Sequence, residues 1–64
     1  MKFKNIYKLI ECRFELYFKG SYVGEYTNND DISNIDWVLE CNVISLDIEK
    51  GIGNDTPILS IQLR

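Results

Sequence analysis

From Leu9 to Lys19 the chain reads LIECRFELYFK. Ile10, Cys12, Phe14, Leu16 and Phe18 share one parity, and Glu11, Arg13, Glu15, Tyr17 and Lys19 share the other. Successive side chains of a strand point to opposite faces, so this alternation predicts a strand with one dry face and one wet face. The dry face needs a cover and the edges need partners. The remainder of the chain must supply both.

After Phe18, the Lys19-Gly20-Ser21 stretch reads as a tight hairpin, because glycine reaches the positive φ that such turns require. A three-residue loop at Phe18-Lys19-Gly20 sets Leu16 opposite Tyr22, Phe14 opposite Gly24, Cys12 opposite Tyr26 and Arg13 opposite Glu25. A two-residue loop at Gly20-Ser21 would place Glu25 across from Leu16 and bury an unpaired carboxylate, so the longer loop is expected. The second strand then covers Tyr22 to Thr27. Asn28-Asn29-Asp30-Asp31 is turn chemistry, since these side chains compete for backbone donors.

Ser33 and Asp36 have the spacing of a capping box, Ile32 is placed to staple onto Trp37, and Ile32, Ile35, Val38 and Leu39 make an apolar stripe at helical spacing. A short helix over 33–41 follows, with Asn42 as a left-handed stop. Val43 to Glu49 alternates again, with Ile44, Leu46 and Ile48 on one side. Residues 50–57, rich in glycine and polar residues, form a long hairpin loop. Ile58 to Leu63 makes a last strand, with Pro57 suited to the start of an edge strand. The expected fold is α+β: one domain over residues 1–64, ordered ββαββ, with an antiparallel four-stranded sheet and one short helix on its apolar face. Residues 3–8 are expected to continue the first strand or lead into it.

A chain of 64 residues buries only about 60% of its unfolded surface, which makes self-association or a partner a reasonable expectation. No apolar run approaches the ~18 residues that span a bilayer, and charges interrupt the start where a signal peptide needs an unbroken apolar run. A cytoplasmic protein without a membrane contact is expected, with Cys12 and Cys41 as buried thiols. The chain has no histidine, so the commonest general base and zinc ligand is missing, and no Cys-x-x-Cys replaces it. Neither an enzyme nor a metal or cofactor site is expected.

Between Gly20 and Glu49 there is no lysine or arginine, but seven acids: Glu25, Asp30, Asp31, Asp36, Glu40, Asp47 and Glu49. Residues 1–19 are basic on balance, with Lys2, Lys4, Lys8, Arg13 and Lys19. Carboxylates along a strand and a helix can imitate a nucleic-acid backbone and occupy the site of a nucleic-acid-handling protein. The plainer reading is a solvated surface with helix-start preferences at Asp30, Asp31 and Asp36. Trp37 is either a core residue or, half-exposed, an interface anchor with Tyr22 or Tyr26. The candidate partner-binding residues are Glu25, Tyr26, Asp30, Asp31, Asp36, Trp37 and Glu40. The basic first third reads as a solvated strand face in preference to a direct nucleic-acid site.

Gly20 followed by Glu25-Tyr26, Asp36-Trp37 in place of an Asp-Phe pair, and the third strand VISLDIEK resemble the small dimeric uracil-DNA glycosylase inhibitors encoded by phages of Gram-positive bacteria. The resemblance covers roughly residues 9–50, and the family lacks the fourth strand. It implies a non-catalytic phage inhibitor that mimics nucleic acid and binds a host nucleic-acid-processing enzyme, with Glu25 and Tyr26 as contacts and Trp37 as a pocket or dimer wall. Anti-CRISPR proteins belong to the same broad class of compact acidic inhibitors. The alternative expectation is an assembly module acting as a small homodimer, paired through an exposed edge such as Ile58 to Leu63.

Overall fold

The computed structural model describes residues 1–50 and 57–64. Its strands are β1 (Arg13–Phe18), β2 (Ser21–Tyr26), β3 (Val43–Lys50) and β4 (Pro57–Leu63), in the sheet order β2-β1-β4-β3. β1 with β2 and β3 with β4 are antiparallel, while the two central strands, β1 and β4, run parallel. The class is α+β as expected, but the sheet is mixed and not purely antiparallel. The composition of β4 accounts for its place. Leu59, Ile61 and Leu63 supply an apolar row, and its other parity holds only Ile58, Ser60 and Gln62, so the strand carries no charge to desolvate between two neighbours. Pro57 is its first residue, a position where a missing ladder donor is tolerated. β4 is therefore an inner strand, and the expected dimer edge at Ile58 to Leu63 does not exist.

The first hairpin turns on two residues, Lys19 and Gly20, with φ of 51° and 85°. Two positive φ values are those of a type I′ turn, whose twist matches the flanking strands. Phe18 pairs with Ser21 and Tyr17 with Tyr22, after which Val23 is an extra residue and Leu16 meets Gly24, Glu15 meets Glu25 and Phe14 meets Tyr26. The expected three-residue loop and its register are thus corrected. A tighter turn plus a bulge keeps Glu25 off the dry face, and it also moves Tyr22 to the wet side opposite Tyr17. A Cβ at Gly24 would lie 2.7 Å from Cε2 and Cζ of Tyr26, so a side chain there must displace the ring that leans over it.

Residues 3–8 do not extend β1. They form two short 3-10 turns, Phe3–Asn5 and Tyr7–Leu9, and β1 begins only at Arg13. Phe3 and Tyr7, one on each turn, both meet Phe14, with ring centroids 5.7 and 6.2 Å apart in edge-on contact. Phe3, Tyr7, Ile10, Phe14, Leu16, Ile32, Val38, Ile61 and Leu63 form the buried core.

The expected α-helix over 33–41 is a 3-10 segment, Ser33–Glu40, broken at Ile35 with φ −129° and ψ 29°. Three β-branched residues, Ile32, Ile35 and Val38, together with Ser33, Asn34 and Asp36, favour competing local conformations over a regular helix. The capping box is not made; the Ser33 N–H donates instead to Asp31 Oδ1 at 2.9 Å. Asn42 is no left-handed stop. It exchanges two backbone hydrogen bonds with Arg64, at 3.0 and 2.9 Å, and forms a bridge with Lys2. Of the expected 50–57 loop, Lys50 ends β3 and Pro57 begins β4, and residues 51–56 lie outside the described residues.

Candidate functional site

The strand registers put carboxylates from three strands onto one face. Glu25, Glu15, Ser60 and Asp47 are aligned across β2, β1, β4 and β3 in a single row, and Arg13, Ile58 and Glu49 make a neighbouring row. Neighbouring strands lie about 4.8 Å apart, so Glu15 and Glu25 are adjacent and Asp47 stands roughly 10 Å beyond Glu15. This is the face opposite Phe14, Leu16 and Ile61, and none of the described 3-10 segments packs on it, since their buried residues belong to the core on the other side. Tyr17 and Tyr22 share it, with ring centroids 5.4 Å apart.

Electrostatics report the same arrangement. Partial desolvation pushes the Tyr17 phenol above its usual value, and the negative charges of Glu15 and Glu49 push it further. Tyr22 is raised likewise, by desolvation and then by Glu15 and Glu25. Among the described residues Arg13 is the cation that meets these acids, with Nε 3.6 Å from Glu25 Oε2. Like charges directly opposite across a ladder destabilise it, so Glu15 facing Glu25 is a local cost to the fold.

The sequence-predicted residues do not converge. Glu25 belongs to the outer acidic face, whereas Tyr26, its neighbour on β2, turns inward and packs on Phe14 at 6.4 Å between ring centroids. Consecutive strand residues point to opposite faces, so Glu25 and Tyr26 cannot both contact one flat partner. Asp30 Oδ2 accepts the Thr27 N–H at 2.8 Å, and Asp31 accepts the Ser33 N–H, which holds its carboxyl below the ordinary range. Both acids organise the 27–33 turn. Glu40 is engaged by Lys2 and Lys4, each at 3.0 Å, and these two hydrogen-bonded cations lower its carboxyl. Asp36 is exposed on the third 3-10 segment. Trp37 is 45% exposed and packs edge-on against Phe18 at 5.1 Å, at the end of β1 away from the acidic row.

Three-dimensional neutralisation separates the acids that sequence counting had grouped. The basic amino terminus folds back onto Glu40, and Lys8 donates to the Asn28 carbonyl at 3.1 Å. The lysines expected to line one basic strand face are thereby dispersed. Glu15, Asp47, Glu49 and Tyr17 were not among the expected site residues, although their common wet parity in LIECRFELYFK and VISLDIEK was an available signal; Tyr22, expected as an alternative anchor beside Trp37, reaches this face only through the bulge, and only the strand order brings the five together.

Cys12 and Cys41 are free and half-buried, and Cys41 Sγ donates to the Trp37 carbonyl at 3.6 Å. Among the described residues no group of three or more Cys, Asp or Glu is placed to hold a metal ion, and no helix is long and apolar enough to cross a membrane. Compared with protein-family models, curated proteins and solved structures, the chain matches none.

Proposed function

We propose that this chain is a non-catalytic binding protein that sets its acidic sheet face against the nucleic-acid-binding surface of a processing enzyme, in the manner of the small phage inhibitors its sequence resembles. The observation that carries the proposal is the row Glu25-Glu15-Ser60-Asp47, extended by Glu49, on a face that the described elements leave open. A basic groove shaped for phosphates meets carboxylates repeated across the sheet, and association is steered by that field. Tyr17 and Tyr22 supply amphipathic rings beside the charges, the residue type favoured at the centre of interfaces. The like-charge contact of Glu15 with Glu25 is relieved when a cationic partner arrives. Glu25 remains from the residues expected at the interface, while Asp30, Asp31 and Glu40 serve the fold of their own segments.

The test is a capture experiment on the heparin-binding fraction of a low-GC Gram-positive lysate, using immobilised wild-type protein and the variant Glu15→Lys/Asp47→Lys. The expected result is a nucleic-acid enzyme held by the wild type, lost by the variant and displaced by added duplex DNA or RNA. Purified bacterial uracil-DNA glycosylase serves as the first activity assay. Equal capture by the variant, or capture that nucleic acid does not displace, would overturn the proposal.

A further inference from the structure

We propose that the outer edge of β3 between Leu46 and Glu49 docks an extended segment of a partner protein in which basic and aliphatic residues alternate. The inference rests on the backbone at the rim of the sheet and stands apart from the acidic-face reading. β3 has β4 on one side only. Ladder parity decides which groups its free side presents. Arg64 exchanges both backbone bonds with Asn42, and Leu63 turns the other way, accepting the Lys19 N–H at 3.1 Å. β4 keeps an unbroken register with β1 from Ile58 to Leu63, so Gln62, Ser60 and Ile58 face β3, while Ile61 and Leu59 face β1. β3 has an irregularity between Val43 and Ser45, where Ile44 is the extra residue, and Ile44 takes no part in the docking. Beyond it Asp47 opposes Ser60 and Glu49 opposes Ile58, so these two bond to β4. Leu46 and Ile48 therefore turn their N–H and C=O groups away from the sheet, where no backbone group meets them among the described residues.

The chain itself shows what this edge accepts. Just before the irregularity the amino terminus lies along the same edge as an antiparallel strand. Lys2 opposes Asn42, the Phe3 N–H donates to the Cys41 carbonyl at 2.9 Å, and the Val43 N–H donates to the Met1 carbonyl at 2.8 Å. Its side chains alternate: Phe3 is fully buried in the core, and Lys2 and Lys4 each reach Glu40 at 3.0 Å. Further along β3 the same two kinds of acceptor have no counterpart. Leu46 and Ile48, aligned with Ile61 and Leu59 on the core-facing side, are 44% and 75% exposed. Asp47 and Glu49 stand on the other side with no ion-pair partner among the described residues.

An apolar row and an acidic row on one free edge complement an aliphatic row and a basic row on an incoming strand. In antiparallel pairing, aliphatic residues oppose Leu46 and Ile48 as hydrogen-bonded pairs. A basic residue then opposes Asp47 in the non-hydrogen-bonded pair, where side chains stand closer. A segment opposing residues 45–49 stops short of Met1, so the amino terminus need not move.

The probe is the peptide acetyl-Lys-Val-Lys-Val-Lys-amide, titrated to millimolar concentration into the isotope-labelled full chain and followed by amide shifts and hydrogen exchange. The Leu46 and Ile48 amides are expected to shift and to exchange more slowly, with binding that weakens as salt is added. N-methylation of both valines, whose amides face β3 in this register, is expected to weaken binding roughly tenfold or more, and N-methylation of the central lysine, whose amide faces away, to leave it within about twofold. The block isomer Lys-Lys-Lys-Val-Val, of equal charge, is expected to bind roughly tenfold more weakly. Asp47→Asn/Glu49→Gln should lower the affinity and flatten its salt dependence, whereas Glu15→Gln, central to the acidic face but two strands away, should leave it within about twofold. Absence of binding at millimolar peptide, equal binding by the block isomer or the valine-methylated peptide, or shifts confined to β1 and β2 would overturn the proposal. So would protection of Leu46 and Ile48 that rises with protein concentration in the absence of peptide, the mark of a second copy on the edge.

Discussion

Replacing Phe3 by alanine removes a ring that is fully buried and in contact with Tyr7 at 5.6 Å and Phe14 at 5.7 Å between centroids. Truncating a core phenylalanine costs about 3–5 kcal/mol, the sum of lost transfer free energy and the cavity left behind. A 64-residue domain has on the order of 3–10 kcal/mol to lose, so Phe3→Ala is expected to leave much of the chain unfolded at room temperature. Phe3→Leu keeps most of the volume and forfeits two aromatic contacts, each about 0.5–1.5 kcal/mol beyond area burial. Its expected cost is therefore about 1–3 kcal/mol. With a urea dependence near ~1 kcal/mol per molar for a chain this small, that is a midpoint shift of roughly 1–3 M. Urea unfolding followed by circular dichroism and by Trp37 fluorescence measures both variants. A Phe3→Ala midpoint within about 0.5 M of the wild type would refute the argument that the amino-terminal turns are part of the core.

Two further outcomes concern charge. Lys4 and Lys2 hold the Glu40 carboxyl below its ordinary 4.5, so its folded value is the lower one; the stabilisation is complete above pH 4.5 and lost as pH falls through the folded value. The stability difference between the wild type and Glu40→Gln is expected to shrink between pH 6 and pH 3, and with added salt at neutral pH, in parallel urea titrations. On the outer face, Glu15→Gln removes a negative charge that raises both Tyr17 and Tyr22, so an ultraviolet titration should show both phenols moving down toward 10.0 without reaching it, because desolvation is the larger cause and remains. The raised values favour the neutral phenols, so any linked stability is intact below pH 10 and lost as pH rises through the folded values.

The local elements were legible where one periodicity dominated. β3 and β4 begin and end within a residue of the expected bounds, and the wet and dry parities of β1 survive from Arg13 onward. Reading failed where two patterns compete. Leu9 to Cys12 continues the alternation of β1 yet leaves the sheet, since Phe3 and Tyr7 reach Phe14 only if the chain coils above it. In the first hairpin a bulge and a tighter turn keep Glu25 wet and Gly24 and Tyr26 dry, as a longer loop without a bulge would, and the two differ at Tyr22. Side-chain parity alone does not separate the two solutions.

The candidate site was less legible than the fold. Counting charge along the chain singled out Glu25, Asp30, Asp31, Asp36 and Glu40; Glu25 lies on the open face, while Asp30, Asp31 and Glu40 are occupied within their own surroundings. The sequence by itself determined the alternating rows, the turn at Gly20, the absence of histidine and the excess of acid. Tertiary structure alone decided that β4 runs parallel beside β1, that Lys2 and Lys4 neutralise Glu40, and that Glu15, Glu25 and Asp47 align on one open face. The physical reason is that parity is a property of one strand, whereas strand order and ion pairing depend on contacts between residues far apart in the chain, made only when the apolar rows find a common core.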